Sequence, residues 1–155
     1  MSGQVNREET IAPDPMRKAR RSAQMGKVRS QGNQSTERQA ELTLIDAGIQ
    51  GWEKHPHKIP GQPDFFFPDY KLALFVDGCF WHACPICKRR TPKTDFWRNK
   101  LEENCKRDNW VHRKLREEGY HVIRVWEHEL KKDLWLKRLR AMIRRIERAM
   151  ETTVL

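Results

Sequence analysis

Short apolar runs bounded by turn residues mark the predicted strands of the chain. The runs 65–67 and 72–76 flank a Pro-Asp turn, which is typical of a β-hairpin. Residues 52–57 predict a strand before the hairpin, and residues 120–126, which read YHVIRVW, predict an interior strand after it. The chain is therefore expected to form three consecutive strands and a fourth that follows later.

Apolar residues recur at helical spacing in three other segments. Ser35 is placed to cap a helix that ends at Gly48, and Asp95 is placed to cap a helix over residues 96–118. The segment 129–150 has an apolar stripe and a strongly cationic opposite face, which predicts an amphipathic helix. The resulting order αβββαβα predicts a single α/β domain whose mixed central sheet is flanked by helices.

The basic composition narrows the class of partner. The chain has 155 residues, and its 31 Lys and Arg against 21 Asp and Glu give a net charge of +10. This excess favours a nucleic acid partner over a basic surface that has no partner. Residues 1–15 predict a flexible leader and residues 34–150 a folded domain. Between them, residues 16–33 predict a basic arm that either grips a phosphate backbone or is simply solvated.

Hydropathy and cysteine content indicate the compartment. No apolar run approaches the roughly 18 residues of a membrane-spanning helix, and the polar N-terminal segment lacks the apolar core of a signal peptide. The protein is therefore expected in the cytoplasm, where thiols stay reduced. Its four cysteines are accordingly interpreted as metal ligands or core residues rather than as disulfides.

Two acidic residues occupy the open end of the predicted hairpin. Asp64 stands at the start of the first strand and Asp77 at the end of the second, so antiparallel pairing brings them side by side. Carboxylate oxygens at this position suit Mg2+, which retains water and binds partly through substrate phosphate. His82 follows closely, and a histidine near its neutral pKa suits a general base or acid. The alternatives for His82 are a zinc ligand and a packed imidazole.

A cluster of thiols follows the second hairpin strand. The spacing Cys79-x4-Cys84-x2-Cys87 is typical of zinc ligands on a tight loop, and this interpretation is favoured over three buried thiols. A tetrahedral site needs a fourth ligand, for which His128 is the preferred candidate. The competing candidates are His82, His121 and Cys105. Four protein ligands predict a structural Zn2+ site rather than a catalytic one.

Two aromatic pairs, Phe80-Trp81 and Phe96-Trp97, accompany these residues. Core packing is the ordinary role of large aromatic side chains, and Phe96 is expected to follow it. A Phe-Trp pair between metal ligands on a loop is hard to bury completely. Phe80 and Trp81 are therefore expected to be exposed and to wedge between base pairs, which kinks a duplex.

Two resemblances to known families rest on these residues. The spacing from Pro63-Asp64 to Asp77 resembles the PD-(D/E)xK nuclease core, although its third motif position, usually Lys, is Cys79. Over roughly residues 16–150, the chain resembles the very-short-patch repair (Vsr) DNA mismatch endonucleases. The motifs that carry this resemblance are Gly78-Cys79-Phe80-Trp81-His82, Phe96-Trp97, Asn104, Arg107-Asp108 and Val125-Trp126-Glu127.

The Vsr resemblance implies a restriction-endonuclease-like fold, bound zinc and a DNA repair activity. The implied reaction is Mg2+-dependent cleavage of one strand, 5′ to the thymine of a T:G mismatch that arises when 5-methylcytosine deaminates. The implied partner is double-stranded DNA, with other repair proteins as further partners. A monomer that acts at the nucleoid of a prokaryotic cell is expected.

The resemblance also implies roles for individual residues around the catalytic cation. Asp64 corresponds to the family's metal-binding catalytic aspartate and His82 to its catalytic histidine. Glu37 corresponds, across a one-residue offset, to an acid on the first helix, and an ordinary acid at a helix start is its alternative role. Asp77 departs from the family's pattern, and it is expected to join Asp64 in holding Mg2+ because of its place at the hairpin end. The match of Asn104, Arg107 and Asp108 to the family implies that Asp108 orients His82.

The remaining implied roles concern DNA and zinc. The positions that intercalate beside the mismatch correspond to Phe80, Trp81 and Trp97, and Met25 corresponds to the residue that the N-terminal arm inserts from the minor groove. The zinc-ligand positions are occupied by Cys79, Cys84 and His128, with Cys87 as the remaining ligand after a one-residue insertion.

Two other functions remain open on the sequence alone. The ligand types at the zinc positions and the carboxylate of Asp77 depart from the family's pattern, which leaves room for a restriction-type nuclease or nickase that acts on matched or modified DNA. A zinc-stabilised DNA-binding module without catalysis would account for the charge, the thiols and the aromatic residues. It would not account for the placement of Asp64, Asp77 and His82.

Overall fold

A computed structural model describes residues 35–87, 92–132 and 134–153 of the chain. The predicted leader, the predicted basic arm and Met25 all lie outside these described residues.

The described part of the chain forms one four-stranded mixed sheet. Its strands, in chain order and in spatial order, are β1 (Glu53–Lys54), β2 (Phe65–Phe67), β3 (Leu72–Asp77) and β4 (His121–Trp126). The pairs β1–β2 and β2–β3 are antiparallel, whereas β4 runs parallel to β3. Every residue of β3 is buried, which explains why this strand reads as an almost continuous apolar run.

Helices cover both faces of the sheet. Residues 35–46 form α1, and α2 (Asp95–Glu117) and α3 (Leu134–Thr153) follow. Among the described helices, none is long and apolar enough to cross a membrane. The order and the mixed α/β architecture predicted from the sequence are confirmed.

Alternation along the strands divides the core into two layers. On one face, Phe65 and Phe67 of β2 pack with side chains of α1 and α3 such as Leu44 and Trp135. On the other face, Phe66 packs with Ala73 and Phe75 of β3 and with Val111 and Leu115 of α2. Successive strand residues point to opposite faces, so the three consecutive phenylalanines serve both layers. Burial of each such side chain contributes about 1.5–3 kcal/mol.

A tight turn sets the register of the hairpin. Residues Pro68–Tyr70 form one turn of 3-10 helix, and Lys71 closes it in a left-handed conformation with φ 44°. The Lys71 backbone N–H donates to the Pro68 carbonyl at 3.2 Å, and the Lys71 carbonyl accepts from His121 N–H at 2.8 Å. The same residue therefore aligns β3 with both β2 and β4.

Two predicted boundaries differ from the observed ones. The strand expected at 52–57 is limited to Glu53–Lys54, because His55 has a left-handed φ of 49° and Pro56 has no N–H to donate. The last helix begins at Leu134 rather than at residue 129, since Glu127–Glu129 forms a 3-10 turn. The Glu129 side chain stabilises that turn by accepting a hydrogen bond from Trp126 N–H at 2.8 Å.

Candidate active site

One edge of the sheet gathers most of the predicted functional residues. Strand β2 begins where β3 ends, and Asp77, the last residue of β3, pairs in register with Trp126, the last residue of β4. Asp64 immediately precedes β2 and therefore lies at this same edge. A cavity of about 500 Å³ opens there. Its charged and titratable lining residues are Asp64, Asp77, His82, Arg107, Asp108 and Arg124.

The first part of this edge combines two acids and a histidine. Asp64 Oδ2 accepts a hydrogen bond from Val76 N–H at 2.6 Å. Glu37, in the first turn of α1, is buried, and its Oε2 lies 3.1 Å from His55 Nε2. One ligand atom from each of Glu37, His55 and Asp64 lies within 4.8 Å of the others. We call these three residues the Asp64 group.

Electrostatics in the Asp64 group favour an added cation. Burial raises the pKa of Asp64 to about 8, and the negative charges of Glu37 and Asp77 act in the same direction, against the Val76 hydrogen bond. Burial and like charge both oppose ionisation of a carboxyl group. A divalent cation bound by the two carboxylates would remove this penalty, and their oxygen atoms fit Mg2+.

Asp77 lies in a different environment although it lines the same cavity. Its side chain is 3% exposed, and both of its oxygens are bonded by Arg124, with Nε–Oδ2 at 2.6 Å and Nη2–Oδ1 at 3.0 Å. This two-point ion pair neutralises the carboxylate within the protein. The geometry therefore groups Asp64 with Glu37 rather than with Asp77, which was its partner in the sequence prediction.

His82 is held between two acids on the Asp77 side. Its Nδ1 lies 2.5 Å from Asp108 Oδ2 and 3.9 Å from Asp77 Oδ1. Arg124 Nη2 lies 3.2 Å from Asp108 Oδ1, so the guanidinium joins both carboxylates. Burial opposes ionisation of Asp108, but the hydrogen bond from His82 and the charge of Arg124 lower its pKa overall. We call His82, Asp77, Asp108 and Arg124 the Asp77 group.

This arrangement selects one nitrogen of the imidazole for chemistry. With Nδ1 donating to Asp108, His82 Nε2 is the nitrogen that can accept or deliver a proton. The imidazolium formed by protonation would face two carboxylates, which stabilise it.

A second metal-binding cluster flanks the cavity. The His128 Nδ1 atom lies 3.2, 3.6 and 3.3 Å from the sulfurs of Cys79, Cys84 and Cys87, respectively. Ligands of a tetrahedral Zn2+ with usual bond lengths are separated by about 3.5 Å, so these four side chains could hold zinc. Burial raises the pKa of the Cys79 thiol to about 12, and a bound cation would counter that effect.

The competing candidates for the fourth zinc position are placed elsewhere. His82 contacts Asp108, and Cys105 Sγ lies 3.8 Å from the His82 carbonyl oxygen. His121 begins β4 and lies at the opposite end of this strand from His128. The parallel pairing of β3 and β4 explains why His128 is the histidine beside the three cysteines. It brings the residues that follow Asp77 and those that follow Trp126 to one edge of the sheet.

Four aromatic rings form a continuous group beside His82. Ring centroids lie 4.9 Å apart for Phe80–Trp81, 5.8 Å for Trp81–Trp97 and 5.1 Å for Phe96–Trp97. Asn104 Nδ2 donates to the Trp81 carbonyl at 3.1 Å, which connects the loop to α2. Phe96 lies in the first turn of α2 and is 60% exposed, so the expectation that it packs in the core was wrong.

Two residues of the site were not identified from the sequence. Arg124 is the one charged residue inside the apolar run 122–126, and a guanidinium in a buried strand requires anionic partners. The charged residue within an apolar run could therefore have indicated that Arg124 belongs to the site. His55 carried no such signal, because its approach to Glu37 depends on how α1 packs against the sheet.

Comparison with known proteins identifies relatives of the chain. Residues 13–88 match the family model of the DNA mismatch endonuclease Vsr. The chain is 34% identical to the DNA mismatch endonuclease Vsr of Escherichia coli over 116 residues, which cover 74% of this chain and 73% of that protein.

Other relatives carry a different name. The Type II nicking enzyme V.XorIIP of Xanthomonas oryzae pv. oryzae is 37% identical over 119 residues, covering 76% of this chain and 86% of the relative. The Type II nicking enzyme V.NaeI of Lentzea aerocolonigenes is 45% identical over 69 residues. In that case the match spans 44% of this chain and 42% of the relative, which is less than half its length.

Proposed function

The chain belongs to the Vsr family of DNA mismatch endonucleases, and we propose that it nicks one DNA strand 5′ to the thymine of a T:G mismatch by Mg2+-dependent hydrolysis. The observation that carries the proposal is the cavity that Asp64 lines together with all four residues of the Asp77 group, while Glu37 and His55 lie against Asp64. Its substrate would be DNA in which 5-methylcytosine has deaminated. The protein would act as a monomer on cytoplasmic DNA, alone or with other repair proteins.

Glu37 and Asp64 would hold the Mg2+ ion in this proposal. Glu37 is buried and Asp64 is partly buried beside it, an arrangement that is costly without a cation, and their oxygen atoms are the ligands that Mg2+ prefers. When bound, the ion supplies positive charge for the phosphate oxygens and for the leaving 3′-oxygen. Asp77 would contribute negative charge to the same cavity, but its oxygens are bonded to Arg124.

His82 would act as the general base. Its Nε2 would accept a proton from the water that attacks phosphorus, the bond between phosphorus and the 3′-oxygen would break, and the 3′-oxygen would leave. Asp108 would keep the Nδ1–H tautomer in place through the 2.5 Å contact. Arg124 would act as a positioning residue, because it contacts both carboxylates that face His82.

Zinc would stabilise the loop that carries His82. Three of its four ligands lie in residues 79–87, a segment that contains little regular structure. The fourth ligand, His128, would connect that loop to the end of β4. All four positions of a tetrahedral ion would be filled by protein, which suits a structural role rather than catalysis.

The aromatic group would select the DNA site. Phe80, Trp81 and Trp97 form one ring cluster in which Trp81 directly precedes His82, and in this proposal they would wedge into a base step next to the cleaved phosphate. A mismatched step is easier to unstack than a matched one. The basic arm at 16–33, with Met25, would add affinity from the opposite groove.

A strand-resolved cleavage assay tests this function. One duplex carries a T:G mismatch and its twin carries a T:A pair at that position, with Mg2+ present and Asp64→Asn as the inactive control. A single nick 5′ of the mismatched thymine, absent from the T:A twin and from the variant, is the expected result. Absence of cleavage in all duplexes would instead favour a zinc-stabilised DNA-binding module.

A second candidate function is nicking of a different DNA context. It is favoured by the relatives that are named Type II nicking enzymes. In that case the same active site would cleave matched or modified DNA. Equal rates on the T:G duplex and its T:A twin would support this candidate and would leave the assignments of Asp64 and His82 intact.

A further inference from the structure

His55 lies beside the predicted catalytic acids without having been assigned a role by the sequence. It directly follows β1, and its backbone N–H donates to the Asp64 carbonyl at 3.3 Å. Its φ of 49° lies in the left-handed region, where residues other than glycine are uncommon. This backbone conformation ends the strand and sets the position from which the imidazole approaches α1.

The donor atoms around His55 have the separations of ligands to one ion. Two neighbouring ligands of an octahedral cation with bonds of 2.1 Å lie about 3.0 Å apart. His55 Nε2 and Glu37 Oε2 are separated by 3.1 Å, and both lie within 4.8 Å of a carboxylate oxygen of Asp64. The three side chains come from α1, from the residue after β1 and from the residue before β2.

Exposure differs among the three donors in a way that suits a metal site. The Glu37 side chain is buried, whereas the His55 side chain is 47% exposed. The imidazole therefore lies between the buried carboxylates and the solvent, where it would leave room for water and substrate phosphate on the remaining positions of the ion. Mg2+ and similar cations in nucleic-acid enzymes retain such positions.

An ordinary ion pair between His55 and Glu37 is the simpler explanation of the 3.1 Å contact. That pair would leave the partly buried Asp64 beside Glu37 without any cationic partner among the described ion pairs. Arg124 does not neutralise Asp64, because its guanidinium contacts Asp77 and Asp108 instead. One divalent cation bound by all three side chains compensates both buried carboxylates at once.

We propose that His55 is a third protein ligand of the catalytic cation and gives the site a preference for Mn2+ over Mg2+. The proposal rests on the proposed function only for the identity of the catalytic site. Imidazole nitrogen is a ligand that suits transition metals, whereas Mg2+ selects oxygen. A Glu-Asp-His set therefore binds Mn2+ more tightly than the two carboxylates alone would.

Pulsed electron paramagnetic resonance of bound Mn2+ tests this ligand directly. The full-length protein is first loaded with zinc so that the thiol cluster is filled, and Mn2+ is then added. The expected spectrum of the wild type contains a 14N coupling from a coordinated imidazole. His55→Gln removes the coupling and weakens Mn2+ binding by at least about 10-fold, since even outer-shell partners contribute 10–100-fold. Mg2+ affinity is expected to change less.

His57→Gln is the matched control, because His57 is exposed and lies two residues from His55 but outside the Asp64 group. This variant should retain both the coupling and the Mn2+ affinity. Circular dichroism of each variant checks folding, and 15N-histidine labelling of the unmodified protein identifies the coupled nitrogen without any substitution.

The possible outcomes distinguish the role of His55 as a metal ligand from the proposed DNA-nicking function. A wild-type protein that nicks DNA with Mg2+ but shows no 14N coupling would overturn the role of His55 and leave the function intact. Persistence of the coupling in His55→Gln would also overturn it, because another histidine would then be the ligand. A coupling that depends on His55 in a protein that does not cleave DNA would support the metal site and reject the nuclease function.

Discussion

The two acidic groups of the cavity differ in what neutralises them. In the Asp77 group, two carboxylates face a guanidinium and an imidazole, so the compensating charge is part of the protein. In the Asp64 group, Glu37 is buried and Asp64 is partly buried, and among the described residues the only basic neighbour in ion-pair contact is His55, on Glu37. Both groups lie at one end of the same short strands, yet only the Asp64 group is suited to an external cation.

Burial alone therefore does not indicate which carboxylate binds metal. Asp77 is the more deeply buried of the two aspartates, with 3% of its surface exposed. However, Arg124 already bonds both of its carboxylate oxygens. The comparison predicts that substitutions on the Asp64 side affect catalysis directly, whereas substitutions on the Asp77 side affect folding and the orientation of His82.

The largest effect is expected from Asp64→Asn. Loss of the charged ligand should remove several kcal/mol of transition-state stabilisation, which corresponds to a rate decrease of at least about 10³-fold. In the absence of metal and at a pH above about 8, where Asp64 is charged, the same variant should be at least as stable as the wild type, because the negative neighbour of Glu37 is removed. Single-turnover nicking and thermal melting in EDTA measure the two effects, and a destabilised variant would contradict the assignment.

Breaking the Asp77–Arg124 pair should mainly reduce stability. Arg124→Met leaves the buried Asp77 carboxylate without its guanidinium, which costs about 3–5 kcal/mol. Asp77→Asn should cost less, because Arg124 keeps its contact with Asp108. The double variant should lose less than the sum of the single losses. Urea unfolding of all four proteins provides the coupling energy. Strictly additive losses would show that the ion pair does not stabilise the fold.

Asp108→Asn should act on catalysis through His82. The amide cannot stabilise the imidazolium and favours the wrong tautomer, so the nicking rate is expected to fall by about 10²-fold. The effect should be mostly on kcat, because the substitution acts on the orientation of His82. An effect confined to KM would argue for a role in DNA binding instead.

A smaller effect concerns the stability of the metal-free protein as a function of pH. The folded-state pKa of Asp64 is raised to about 8 from its ordinary 3.8, so between these values the folded state binds a proton that the unfolded state has lost. Stability should therefore decrease as pH rises through this window, by at most about 1.4 kcal/mol per pH unit.

Urea unfolding in EDTA from pH 5 to pH 8 tests this dependence, with Asp64→Asn as the reference that lacks the titrating group. The difference in unfolding free energy between the two proteins should shrink or reverse as the pH falls. Addition of Mg2+ should remove most of the pH dependence. A difference that does not vary with pH would contradict the raised pKa.

Local sequence patterns were sufficient for much of the fold. The apolar runs at 65–67 and 72–76 and the apolar stripe of α3 are each visible within one short segment of sequence, so the element order could be predicted. The boundaries at His55 and Glu129 could not, because a left-handed residue and a 3-10 turn are decided by their hydrogen bonds. The cysteine spacing predicted a zinc site because three of the four candidate ligands, Cys79, Cys84 and Cys87, lie close together on one loop.

The sequence by itself determined the class of protein, the sheet edge at which the chemistry lies, and the residue types present there. Only the tertiary structure decided how the charges are paired. Arg124 reaches Asp77 because β4 runs parallel to β3, and His55 reaches Glu37 because the end of β1 faces α1. Such partners are distant in the chain, and their electrostatic interaction depends on separations and burial that no spacing along the sequence specifies.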